Sequence, residues 1–73
     1  MAQENVEFPI AGTVTSVNVS QGGVVEEGDI LCLLESMKME NPILAPVGGT
    51  VTEIKLSSGQ VVEAGSLVAI IEY

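Results

Sequence analysis

The 73-residue chain has no histidine, arginine or tryptophan, one cysteine, one phenylalanine, one tyrosine, and two lysines set against ten carboxylates. These scarcities exclude whole classes of chemistry. A net charge of −8 without arginine leaves no basic patch to neutralise phosphates, which argues against nucleic acid or an anionic membrane as a partner. No metal-binding cluster, phosphate-binding loop or basic clamp is present. Cys32 cannot form an internal disulfide, and within the apolar run "ILCLLE" it reads as a small buried hydrophobe. The opening "MAQENVEF" lacks the basic and apolar regions of a secretory signal. No apolar stretch approaches the roughly 18 residues of a membrane span, so no membrane insertion and a cytoplasmic location are expected.

Against these absences stands a hydrophobic fraction of 47%, rich in Val, Ile and Leu, which is enough to bury one modest core in a single domain over 1–73. Shifting the chain by 37 residues aligns "PIAGTVTSVNVSQGGVVEEGDILCLLE" with "PVGGTVTEIKLSSGQVVEAGSLVAIIE" without a gap, and about a dozen positions are identical. The repeats, 9–36 and 46–73, cannot each bury both faces alone, so they must pack together, with a pseudo-twofold arrangement as the natural solution.

Each copy reads as strands separated by turn signals, with no helix required. β-Branched runs at 13–19 and 50–56 are followed by "SQGG" or "SSGQ", a short "VVE", "EGD" or "AGS", and a final apolar strand. In the first run Val14, Val17 and Val19 break strict alternation, and Val51, Ile54 and Leu56 break it at the same place, which predicts a shared β-bulge. The recurring Gly12, Gly22, Gly28, Gly49, Gly59 and Gly65 are assigned to turns needing positive φ. Four strands per copy give an all-β, flattened eight-stranded barrel or sandwich with a pseudo-twofold internal repeat, a barrel-sandwich hybrid.

The joint "SMKMENPILA" has no sequence counterpart in the repeat. It places Lys38 in the tight connection of a β-hairpin, pointing to solvent, and puts Pro42 on an edge strand or at a late strand start. A charged turn residue is ordinary, but hairpin tips usually carry Gly, Asn, Asp or Ser, whereas here Met37 and Met39 flank the lysine. Flexible apolar side chains at an exposed tip suit contact with several partners.

"ESMKMEN" resembles the attachment motif of biotinyl domains, usually Ala-Met-Lys-Met, within the biotinyl/lipoyl attachment family, and the likeness covers nearly the whole chain. It implies a duplicated flattened β-barrel in which Lys38 carries covalent biotin in amide linkage and Met37 and Met39 are recognition residues. Ser36 stands where Ala is commoner. Lipoyl domains share the fold but usually place Asp before and Ala after the lysine, so methionine on both sides favours biotin. The chain lacks the "thumb" insertion that bacterial acetyl-CoA carboxylase carriers often bear. It is closer to the thumbless carriers of other biotin-dependent carboxylases, decarboxylases and transcarboxylase.

An exposed lysine amine needs an activated acyl donor to form an amide. The chain supplies no activating group. By resemblance, a biotin protein ligase presents biotinyl-adenylate, and the tethered biotin then moves a carboxyl group between partner active sites of biotin carboxylase and carboxyltransferase or decarboxylase subunits. The domain itself is expected to be non-catalytic, a carrier rather than an enzyme. Glu35 and Glu40 read either as ligase contacts or as solvated turn charges, and Lys55 as a solvated strand residue. Three rival readings are a Schiff-base lysine, which would need a desolvating pocket, an unmodified binding scaffold, and a lipoyl carrier.

Overall fold

A computed structural model describes all residues, 1–73, as eight strands with no helix. They are β1 (Gln3–Glu7), β2 (Gly12–Val17), β3 (Val24–Val25), β4 (Ile30–Ser36), β5 (Met39–Leu44), β6 (Gly49–Ile54), β7 (Val61–Val62) and β8 (Leu67–Glu72). Two four-stranded antiparallel sheets form, in the orders β1-β8-β6-β3 and β5-β4-β2-β7. Moving β1 and β3 of the first order forward by 37 residues, and β8 and β6 back by 37, gives the second order, so the pseudo-twofold exchanges the two sheets. Each sheet takes strands from both halves of the chain, and neither half completes a sheet alone.

The fourteen buried residues are all apolar, and they fall into pairs 37 positions apart: Val6 with Ile43, Phe8 with Ala45, Val14 with Val51, Val25 with Val62, Leu31 with Val68, Cys32 with Ala69, and Leu34 with Ile71. This pairing also shows that the unit repeated in the fold is longer than the stretches that align by sequence. β5, which lacks a sequence counterpart, is the structural counterpart of β1. Its identity is hidden because only the spacing of buried side chains survives: Val6 and Phe8 in one half, Ile43 and Ala45 in the other.

The shared bulge is present. The register shifts between Val14 and Ser16 against β4, and between Val51 and Glu53 against β8, which leaves Thr15 and Thr52 unpaired at equivalent places. Each threonine Oγ1 donates to the carbonyl across the bulge, Leu33 O at 3.4 Å and Ile70 O at 3.3 Å. The β-branched strands are shorter than 13–19 and 50–56, ending at Val17 and Ile54. The chain must leave one sheet there to deliver β3 or β7 to the other. Gly22 N donates to Val51 O at 2.7 Å and Gly59 N to Val14 O at 2.6 Å, which anchors these crossings. Lys55 therefore lies just past a strand, not within one. Val19 and Leu56 still pack against the core.

The six repeated glycines divide into two kinds. Gly22, Gly28, Gly59 and Gly65 have φ of 89° to 92°, as turns require. Gly12 and Gly49 do not. They begin β2 and β6, where a Cβ would collide with the backbone carbonyl oxygens of Glu35 and Glu72 respectively. These two glycines permit close strand approach, a requirement that turn composition cannot reveal.

Cys32 is wholly buried, and loss of hydration pushes its thiol from 9.0 up to about 11. The folded chain thus holds the thiol proton more tightly than the unfolded chain. Stability from this group is complete below about pH 9 and is lost as pH rises toward about 11, by about 2–3 kcal/mol in total. Urea unfolding at about pH 8 and about pH 10.5 should show a loss of about 2 kcal/mol that Cys32→Ala removes, Ala being the residue at the equivalent position 69. Equal pH dependence in both proteins would show that Cys32 is not its source.

Candidate functional site

β4 and β5 form a hairpin in which Leu34 pairs with Asn41, Glu35 with Glu40, and Ser36 with Met39, leaving Met37 and Lys38 as a two-residue tip. Their φ values are 54° and 64°. A two-residue connection between right-twisted strands selects a type I′ turn, with both central residues left-handed. Asn and Gly tolerate that conformation, whereas methionine and lysine adopt it at a cost of about 1–2 kcal/mol each. Such strain persists only where the surroundings over-determine it. Here the six-residue-pair ladder of β4 and β5 does so.

The side chains at the tip gain little from the domain itself. Met37 is 93% and Met39 67% exposed, so neither folds back into the core. Lys38 is exposed and forms no ion pair, the one ion pair being Lys55 Nζ to Glu53 Oε1 at 3.9 Å. Glu35 and Glu40 stand directly opposite each other below the tip, a like-charge arrangement that costs stability. Glu40 Oε2 lies 3.2 Å from Thr15 Oγ1 and shares that hydroxyl's single proton with Leu33 O, so the bulged threonine also faces this carboxylate.

Asn41 is a site residue that the sequence reading passed over. Its half-buried side chain donates through Nδ2 to Leu34 O at 3.4 Å and to Met39 O at 3.3 Å, tying the two strands together immediately below the tip. The only signal in the sequence was its position two residues after Met39, where Asn commonly bonds nearby backbone. Pro42 lies on β5, which is an edge strand, as its missing donor requires.

The opposite end repeats this geometry without a tip. Ala2 and Tyr73 exchange two backbone hydrogen bonds of 2.8 Å, and they stand 37 positions from Met39 and Ser36 respectively. β2 starts at Gly12, beside Glu35 and the tip, and runs away from it toward β3, which pairs with Gly49 and Thr50 next to Glu72. The hairpin tip and the paired termini thus occupy opposite ends of a body extending 37 × 19 × 19 Å.

The family described as Biotin-requiring enzyme matches residues 4–71 of this sequence. The chain belongs to that family. The biotin-requiring domain is 52% identical over 42 residues to "Biotinylated protein TB7.3 homolog" of Mycobacterium leprae, covering 58% of this chain and 59% of that protein. It is 51% identical over 39 residues to "Glutaconyl-CoA decarboxylase subunit gamma" of Acidaminococcus fermentans, covering 53% of this chain and 27% of that protein. The matches thus span less than two thirds of either relative. Among solved structures, Kluyveromyces lactis urea carboxylase superimposes with a TM-score of 0.89 at 33% identity, over 99% of this chain and 6% of that one. A single-chain, multi-domain long-chain acyl-CoA carboxylase gives 0.86 at 29% identity, over 93% and 7%.

The tip geometry fits covalent biotin. The Lys38 amine is open to approach on an exposed turn and is held by no partner in the fold. The domain needs no pocket for the group, because an amide at this position leaves the ring outside the barrel.

Proposed function

We propose that the domain is a biotin carboxyl carrier in which Lys38 Nζ is the site of amide attachment. The observation that carries this reading is a strained left-handed tip, Met37 and Lys38, exposed together with the adjoining Met39 of β5, in a chain of the biotin-requiring family. The chain supplies no general base at the tip, so a separate biotin protein ligase must provide the activated acyl group. When bound, biotin supplies a ureido nitrogen that takes up and releases a carboxyl group. The residues of the chain position and tether. The hairpin holds the base of the arm rigid, and the lysine stem lets its end reach one partner active site and then another at high effective concentration without tight docking. Those partner sites belong to biotin carboxylase and to a carboxyltransferase or decarboxylase, in keeping with the carboxylase and decarboxylase similarities above. A cytoplasmic setting is part of this proposal. In this reading Glu35 and Glu40, exposed on the hairpin flank, form polar contacts with the ligase.

Co-expression with a biotin protein ligase followed by peptide mapping should give one adduct, on Lys38. Lys55, 81% exposed in its side chain, is the internal control, since it has exposure without the hairpin. Biotin on Lys55, lipoate on Lys38, or no adduct would overturn the assignment.

Replacing Met37 with Asp and Met39 with Ala tests what the methionines do. Because both are exposed, stability should change by no more than about 0.5 kcal/mol, while each lost apolar contact in a ligase pocket costs about 1 kcal/mol or more. The double variant should therefore be biotinylated at least about tenfold more slowly. A large drop in stability with unchanged biotinylation would assign the methionines to packing.

A further inference from the structure

A cleft of about 440 Å³ lies between β1 and β5, one edge strand of each sheet. Its lining includes Asn5 with Pro42, Glu7 with Leu44, and Pro9 with Pro46, each pair 37 positions apart, so the cleft lies on the pseudo-twofold axis. The core beneath it keeps that symmetry, but the two walls do not. The β1 wall is polar and acidic, with Glu4, Asn5 and Glu7, whereas the β5 wall offers Pro42 and a 48% exposed Leu44.

Backbone alternation makes the difference directional. The paired bonds of Ala2 and Tyr73 set the ladder, so Glu4 and Val6 bond to β8 while Asn5 turns its N–H and C=O away from the sheet. Pro42 occupies the equivalent place on β5 and has no N–H to offer. One edge is therefore able to accept another strand and the facing edge is closed to it. Charge on an edge strand also discourages unwanted pairing, yet that accounts neither for the open amide at Asn5 nor for the apolar wall opposite.

We propose that this cleft docks an extended segment of a partner polypeptide, in which basic and apolar residues alternate, added as a strand along β1. In an extended segment, neighbouring side chains fall on opposite sides. Basic residues on one side of the segment meet Glu7, which alternates with the buried Val6 and Phe8 and so faces away from the core, and the apolar residues between them turn toward the β5 wall. The cleft contains no cation of its own to compete for its two carboxylates. Pro42 is three residues along β5 from Met39, about 10 Å, so a partner held here has its docking contact close to the carrier arm. The proposal does not depend on Lys38 being the attachment site.

The test uses the isotopically labelled full chain and a short capped peptide alternating Lys and Leu, with a block-ordered peptide of the same composition as control. Binding should shift the amide resonances of Gln3–Glu7 and Leu44 and slow hydrogen exchange at the Asn5 amide. Glu4→Lys with Glu7→Lys should weaken it about tenfold or more. Asn5→Pro, which removes the outward donor, should abolish it. Glu26→Lys with Glu27→Lys, an equal charge change on exposed residues outside the cleft, should leave the shift pattern and the alternating peptide's advantage intact. No binding, equal binding by the block-ordered peptide, or equal weakening by both double variants would overturn the proposal and leave only attraction to an acidic surface.

Discussion

Lys38→Arg should abolish biotin incorporation while leaving unfolding stability within about 0.5 kcal/mol of the parent chain. The side chain is exposed and unpaired, so the fold has no contact to lose, and arginine meets the same left-handed backbone requirement as lysine. Chemically the two differ completely. The guanidinium stays protonated and delocalised, with no free nitrogen pair to form the amide. Intact mass after incubation with ligase, ATP and biotin, set beside a urea unfolding curve, checks both halves. A variant that still gained the mass of biotin would remove Lys38 from the reaction. A variant that failed to fold would show the lysine to be structural.

Gly12→Ala and Gly49→Ala should each destabilise the domain by about 3 kcal/mol. A Cβ at either place strikes a backbone carbonyl oxygen, of Glu35 or Glu72, which cannot rotate aside as a side chain does. Overpacking of this kind costs about 1–3 kcal/mol, and immobility of the struck atom puts these cases at the upper end. A chain this size has a total stability of only about 4–11 kcal/mol. Gly28→Ala is the comparison: φ of +92° but open space around the new methyl, giving a loss of about 1–2 kcal/mol. The pseudo-twofold separates stability from function. Gly12 presses on the base of the lysine hairpin, and Gly49 presses on the equivalent place at the termini. Both variants should melt early, but only Gly12→Ala should slow biotinylation under conditions where the protein remains folded. Equal effects of both on biotinylation would mean that the hairpin is not coupled locally to Gly12.

What the sequence makes legible depends on whether the physical requirement leaves a residue type behind. The bulge left one, because Val14, Val17 and Val19 slip out of alternation where Val51, Ile54 and Leu56 do. The hairpin left one too, in the unrepeated segment between the copies. The kinship of β1 and β5 left none, since "NVEF" and "NPILA" share only the placement of two buried side chains. Gly12 and Gly49 look in sequence like the turn glycines, and only the position of a facing carbonyl distinguishes them. Asn41 is an ordinary polar residue until Leu34 O and Met39 O are seen on either side of its amide.

The backbone bonds between Ala2 and Tyr73 also bear on chain topology. Ser36 and Met39 are joined by two residues, and Tyr73 and Ala2 are paired in the same way. Joining Tyr73 to Met1 through one added residue would supply a two-residue tip and close residues 1–73 into a ring of two equal 37-residue units, each ending in a hairpin. The ring could then be reopened at an exposed turn such as Gly28 or Gly65, giving circular permutants with both tips intact. A copy of the Met-Lys-Met tip built into the new hairpin would give a carrier with two arms, one at each end of the long axis.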